Sequence, residues 1–220
     1  MWRTGANKNS TISFSTPAKI GGVEVEAGEY ALFTKPGKDS WKIFLYADTD
    51  NWGTPEKWDE EKVVAAFSAK VTSAKMLVET FTMQFDKLTT KSAHLTISWE
   101  KVMLHIPIEV PTDELTQASI KETMAGDSIT QRDYYGAASY YLDAEIQLEK
   151  ALEYIDKAIE IRGTDAYWYV RKKALIEYKL GKRKDAIASA KLSLEKAKKA
   201  GNNSYVKMNE ESIKAWESEK

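Results

Sequence analysis

Residues 104–115, Leu104-His105-Ile106-Pro107-Ile108-Glu109-Val110-Pro111-Thr112-Asp113-Glu114-Leu115, hold the turning point of this chain. Up to Pro111 apolar residues alternate with polar ones; beyond it they return every three or four positions. Period two marks half-buried strands, and a period of about 3.6 marks amphipathic helices. The expected fold is therefore α+β. An antiparallel β-sandwich is predicted over residues 1–110 and an all-α helical domain over residues 111–220.

Working back from Pro111, Leu104, Ile106 and Ile108 form the last arm of a predicted hairpin, opposite Leu95, Ile97 and Trp99. Phe81, Met83 and Phe85 alternate along the strand before it, and Val63, Phe67 and Val71 along the one before that. Residues 41–46 and 29–34 read as two further strands joined across Lys35-Pro36-Gly37-Lys38, where Pro then Gly suits a type II turn. Val23 and Val25 follow Gly21-Gly22, a pair suited to the positive φ of a tight hairpin. Residues 10–15 place Ile12 and Phe14 on one face. Seven or eight short strands with one apolar face each must stack that face on something. Two packed sheets are the usual solution, an open barrel the alternative. Pro107 cannot donate to a ladder, so its strand is expected at an edge.

Several words in this half carry a resemblance. Trp2-Arg3-Thr4-Gly5-Ala6-Asn7, Thr11-Ile12-Ser13-Phe14-Ser15 and Ala27-Gly28-Glu29-Tyr30-Ala31-Leu32-Phe33-Thr34 resemble the domain-of-unknown-function 2911 family. Trp41, Asn51-Trp52-Gly53, Phe81, Trp99-Glu100 and Ile106-Pro107-Ile108 fit the same pattern, over about residues 1–110. The resemblance implies an exported bacterial protein, periplasmic or secreted, with its signal peptide removed and further strand-forming sequence ahead of the Trp2 word. It implies no activity.

After Pro111, Thr112 or Asp113 can cap a helix ending at Gly126, and Thr130 with Asp133 resembles a capping box. Gly163, Gly181 and Gly201 stand where helix C-termini take a left-handed residue, and Asp165 and Ser204 read as N-caps. Ala151, Ile155 and Ala158 are echoed by Ala186, Ala190 and Leu194. The offset from Ala151 to Ala186 is close to the ~34-residue period of tetratricopeptide repeats. Residues 130–218 thus resemble such repeats, although the first lacks the mid-repeat glycine. A final helix over 205–218, with Met208, Ile213 and Trp216, is expected to cap the stack.

Composition closes several routes. The 220 residues carry 32 basic and 33 acidic side chains, so nothing suggests a nucleic-acid partner. The cluster at Lys179, Lys182, Arg183 and Lys184 reads as a solvated helix face. There is no cysteine, which removes disulfides, thiolate metal sites and a thiol nucleophile. No apolar run reaches the ~18 residues of a membrane span.

Chemistry-bearing residues are few. The two histidines, His94 and His105, fall on one face of the last hairpin. With Glu100-Lys101 as the turn, His105 faces Thr96 and lies diagonal to His94. No third ligand is evident nearby, so exposed strand histidines are expected rather than a metal site. Asp48, Asp50 and Asp59 partly imitate a calcium loop, but Trp52 occupies a ligand place and no helices flank it, so a polar connection is expected. No cofactor is called for, and no GxSxG, GxGxxG or Walker word occurs. Trp52 and Trp58, near loops, are candidates for stacking on a sugar or apolar ligand. Tyr134, Tyr141, Tyr167 and Trp168, among the tyrosines crowding the first repeats, are candidates for lining a peptide groove. The expectation is a non-enzymatic binding or scaffold protein that meets a protein or peptide through its helices. The alternative is a glycan-binding or glycan-processing module at the loop over residues 48–59.

Overall fold

The computed structural model describes residues 1–219. The chain divides into two compact units, Met1–Thr116 and Gln117–Lys220. In the first, seven strands form one antiparallel sheet: β1 (Ser10–Phe14), β2 (Ala18–Ile20), β3 (Val23–Val25), β4 (Gly28–Lys35), β5 (Ser40–Tyr46), β6 (Val63–Asp86) and β7 (Ser92–Glu109). Their order is β1-β4-β5-β6-β7-β2-β3. The hydrogen-bonded order is continuous across all seven strands. Side chains from β1 at one edge and from β2 and β3 at the other share one apolar cluster with Leu32, Ile43, Ile97 and Ile106. The sheet therefore curls around its own concave face.

Four strands expected late in this half are arms of only two. β6 pairs with β5 through residues 63–70, then meets β7 twice. Residues 71–73 pair with 102–104, and residues 82–86 pair with 94–98. In a straight strand Thr96 and His105 would stand roughly 30 Å apart, at ~3.3 Å per residue. Their side chains are 2.9 Å apart, so β7 reverses between them. Glu100, at φ 55°, is the residue in that stretch with left-handed backbone. The tip of this reversal is where β6 loses regular register, between Ser73 and Thr82.

Two local expectations change. Pro107 sits in an interior strand, where β2 pairs with β7 through Ile108 and Glu109. Its carbonyl accepts from the Gly21 N–H at 2.8 Å, so the missing donor costs no bond there. Gly37 does not take the positive φ of a type II turn. Its lack of a side chain matters for another reason: a Cβ would lie 2.5 Å from the Ser40 carbonyl oxygen.

The strand β4 is buried on both faces. Tyr30 and Leu32 enter the main cluster, whereas Ala31 and Phe33 join Tyr46 on the opposite face. The segment between β5 and β6 covers that second face, as set out below.

The helices are α1 (Thr112–Met124), α2 (Gln131–Asp143), α3 (Leu148–Arg162), α4 (Tyr167–Lys179), α5 (Arg183–Lys199) and α6 (Asn203–Ser218). The capping box forms: Thr130 accepts from the Asp133 N–H, and the Asp133 carboxylate accepts from the Thr130 N–H. Those hydrogen bonds hold the Asp133 carboxyl below the usual carboxylate range. Gly163, Gly181 and Gly201 all take positive φ. Two predicted caps move. Asp165 makes an ion pair with Lys196 while Ala166 occupies the N-cap of α4. Asn202 caps α6 through Tyr205 N–H, two residues before Ser204. Ala151, Ala158, Ala174, Ala186 and Ala190 are fully buried, which lets the helices approach closely. Ile213 and Trp216 of α6 are buried, but Met208 is exposed.

Candidate functional site

The loop after β5 can be judged atom by atom. Trp58 stacks on Tyr46 with ring centroids 4.6 Å apart and meets Phe33 and Phe44 edge-on. It covers the outer face of β4 and β5 and stays half-buried there. Trp52 is 77% exposed and remains the one open indole of the predicted pair. The aspartates do not converge as a calcium shell. Asp50 binds Lys8 at 2.6 Å, and Asp48 faces Lys62 at 3.4 Å. Asp59 accepts from the Glu61 N–H and caps the short 3-10 turn Glu60–Lys62. The hydrogen bond and charge of Lys8 hold the Asp50 carboxyl below its ordinary range. Carboxylates neutralised by lysine or backbone offer a hard cation little. Trp2 packs edge-on against Phe81 and Trp41.

The aromatic residues of the helical unit are mostly internal. Tyr141 is buried and stacks with Tyr154, which Tyr134 also touches. Tyr135 stacks on Tyr169 at 4.3 Å, and burial pushes the Tyr135 phenol up. Tyr167 accepts a hydrogen bond from Asn202, and its ring meets Trp168 and Tyr205 edge-on. Of the four predicted groove residues, Tyr141 thus fills inter-helix space, and Tyr134, Tyr167 and Trp168 are half-buried against their neighbours. Broad, flat rings seal the gaps that the small alanines leave between helices.

A cleft does open elsewhere in this unit, between α1 and the α2–α3 pair, with a volume of about 540 Å³. Ile120, Met124 and Tyr154 supply its apolar surface, and Lys121 and Lys150 stand beside them. Sequence reading misses it because α1 has no buried residue and a weak apolar stripe, so nothing in its periodicity marks a groove wall.

The histidines do come together. Both rings are half-buried where exposed ones were expected, with centroids 5.8 Å apart, and His105 touches Thr96; β7 runs unbroken through Glu100 and Lys101, so a bend within one strand, not a hairpin turn, brings them together. Asp86 joins them: one potential ligand atom from each of Asp86, His94 and His105 lies within 4.8 Å of the other two. The register of β6 and β7 sets Asp86 opposite His94. That register was the signal available in the sequence, since pairing Phe85 with Leu95 places Asp86 beside His94.

Against known proteins, residues 1–108 match the model of a family described as a protein of unknown function (DUF2911). No curated protein and no solved structure matches the chain. Among the described residues, no helix is long and apolar enough to cross a membrane.

Proposed function

We propose that this is a non-enzymatic, exported binding protein whose helical unit, a short tetratricopeptide-like stack, receives a protein or peptide. Export rests on the family resemblance of the first half. The contact role rests on one observation, the way the helices pack. α2 lies on α3, α3 on α4, α4 on α5 and α5 on α6, and α2 also touches α4. Packing that runs mainly between successive helices, with first helices of successive hairpins in contact, is how repeat arrays build extended surfaces. The sandwich reading of the first unit likewise fits the shared apolar cluster of its curled sheet.

The cleft beside α1 suggests the chemistry of the partner. Lys121 and Lys150 flank Ile120, Met124 and Tyr154, a pattern suited to a peptide with an acidic residue next to an apolar anchor. Selection of a displayed peptide library on the intact chain tests this. Acidic–apolar peptides should enrich, and a Lys121→Glu/Lys150→Glu variant should lose them. Enrichment that survives the double substitution, or no enrichment at all, overturns the reading. The glycan alternative keeps only Trp52, since Trp58 and the three aspartates are engaged within the fold.

A further inference from the structure

The geometry points to a divalent-cation site made by Asp86, His94 and His105 in the β unit, with Thr96 as the residue that positions it. Nothing in the proposed peptide-binding role requires this site. It stands on three observations of different kinds.

The first is convergence. Asp86 and His94 are cross-strand partners, and the reversal of β7 at Glu100 returns His105 to the same place. Ligand atoms of all three lie within 4.8 Å of one another. Around an ion held tetrahedrally at ~2.0–2.1 Å, neighbouring ligands stand roughly 3.4 Å apart. Small side-chain rotations close the difference.

The second is proton placement. Thr96 has a single hydroxyl proton and donates it to Asp86 Oδ2 at 2.9 Å. An ionised carboxylate can only accept. The Thr96 oxygen is therefore left as an acceptor toward His105 Nδ1, also at 2.9 Å, and that nitrogen must carry the proton. A neutral imidazole protonated at Nδ1 keeps its lone pair on Nε2. Histidines that bind metal are held this way, with the second nitrogen fixed by a hydrogen bond.

The third is a deficit. Asp86 Oδ1 and His94 Nδ1 are both buried without a hydrogen-bond partner. Native folds leave few such atoms, because each is costly to desolvate unmatched. Two in one cluster are what a shared ion relieves.

Asp86, Thr96 and His105 invite comparison with an Asp–His–hydroxyl catalytic set, and the comparison fails. Thr96 is 1% exposed and lies between the other two, with its proton committed to the carboxylate. It can orient its neighbours but cannot reach a substrate.

Ligand chemistry names the class of ion. Two imidazoles and one carboxylate, with no thiolate, suit a borderline first-row cation such as Zn²⁺, Co²⁺, Ni²⁺ or Cu²⁺, not Ca²⁺ or Mg²⁺, which favour all-oxygen shells. Three protein ligands leave a fourth position open.

The test uses the full chain free of any affinity tag. Calorimetric titration with Zn²⁺ should give one ion per chain, and Co²⁺ should give visible bands of a nitrogen–oxygen shell. His94→Ala and His105→Ala should each abolish binding. Thr96→Val should weaken it about 10–100-fold while Thr96→Ser restores it, a rescue that a merely space-filling residue would not show. His94 and His105 are the chain's two histidines, so acylation by diethyl pyrocarbonate mapped by mass reads them directly in the unmutated protein. Zn²⁺ should protect both. Failure of Zn²⁺, Co²⁺, Ni²⁺ and Cu²⁺ to bind at 100 micromolar overturns the site. So does acylation of both histidines unchanged by metal, or binding that survives the two histidine substitutions.

Discussion

Replacing Gly21 by alanine should cripple the β unit far more than the same change one residue later. Ile20 pairs with Val23, so Gly21 and Gly22 alone make the β2–β3 turn, at φ 58° and 86°. An L side chain in left-handed backbone costs about 1–2 kcal/mol at either place. Only Gly21 meets a second obstacle: its Cβ would fall 2.2, 2.4 and 2.5 Å from three ring carbons of Phe67. Nothing lies within 4 Å of the Cβ position at Gly22. Phe67 packs against the main apolar cluster, so its ring cannot swing away freely. Forcing such a contact typically adds about 1–3 kcal/mol. Gly22→Ala is thus the control for backbone strain, and the excess loss in Gly21→Ala measures the clash. Urea unfolding followed by circular dichroism at a strand-sensitive wavelength gives both values. The double variant Gly21→Ala/Phe67→Ala closes the cycle, and it should lose less stability than the two single variants summed, because removing the ring relieves the clash. Equal losses at the two glycines, or no coupling with Phe67, would refute the argument that close approach decides this turn.

Two further outcomes follow from the same geometry. Trp58→Ala, at a half-buried ring, should cost more than about 1 kcal/mol but less than the ~3–5 kcal/mol of a core aromatic, while Trp52→Ala should change stability by less than about 0.5 kcal/mol. Denaturation of the two variants distinguishes wall from surface, and a neutral Trp58→Ala would show that Tyr46 and Phe33 do not need their cover. Glu177 of α4 is 5% exposed, and burial pushes its carboxyl up despite a hydrogen bond to Ser189 and the nearby charge of Lys173. A carboxyl raised in the folded state stabilises most below its unfolded value near 4.5 and loses that contribution as pH climbs through the folded value. Glu177→Gln should therefore match the parent near pH 4 and exceed it by about 1 kcal/mol at pH 7. A stability difference that is flat across this range, or that favours the parent at pH 7, is the contrary result.

The alternation before Pro111 and the three-to-four spacing after it determined which segments became strands and which became helices. Local chemistry settled further details: positive φ at Gly21, Gly22, Gly163, Gly181 and Gly201, and the reciprocal bonds of Thr130 with Asp133, involve residues close in sequence. What the residues did not disclose were choices made between distant parts. Whether the arms of β6 and β7 belong to two sheets or one depends on how far each strand continues past its bend, and periodicity is silent on that. Pro107 could lie inside the sheet because the neighbour that reached it, Gly21, needed an acceptor and not a donor. Trp52 and Trp58 are the same residue six positions apart, yet one is open and the other half-buried, since only Trp58 packs on the face that Phe33 and Tyr46 turn outward. Asp86 entered the histidine cluster through a pairing register, and His105 through a chain reversal. Side-chain chemistry is carried by each residue alone, whereas proximity is a property of the folded backbone, and no single segment contains it.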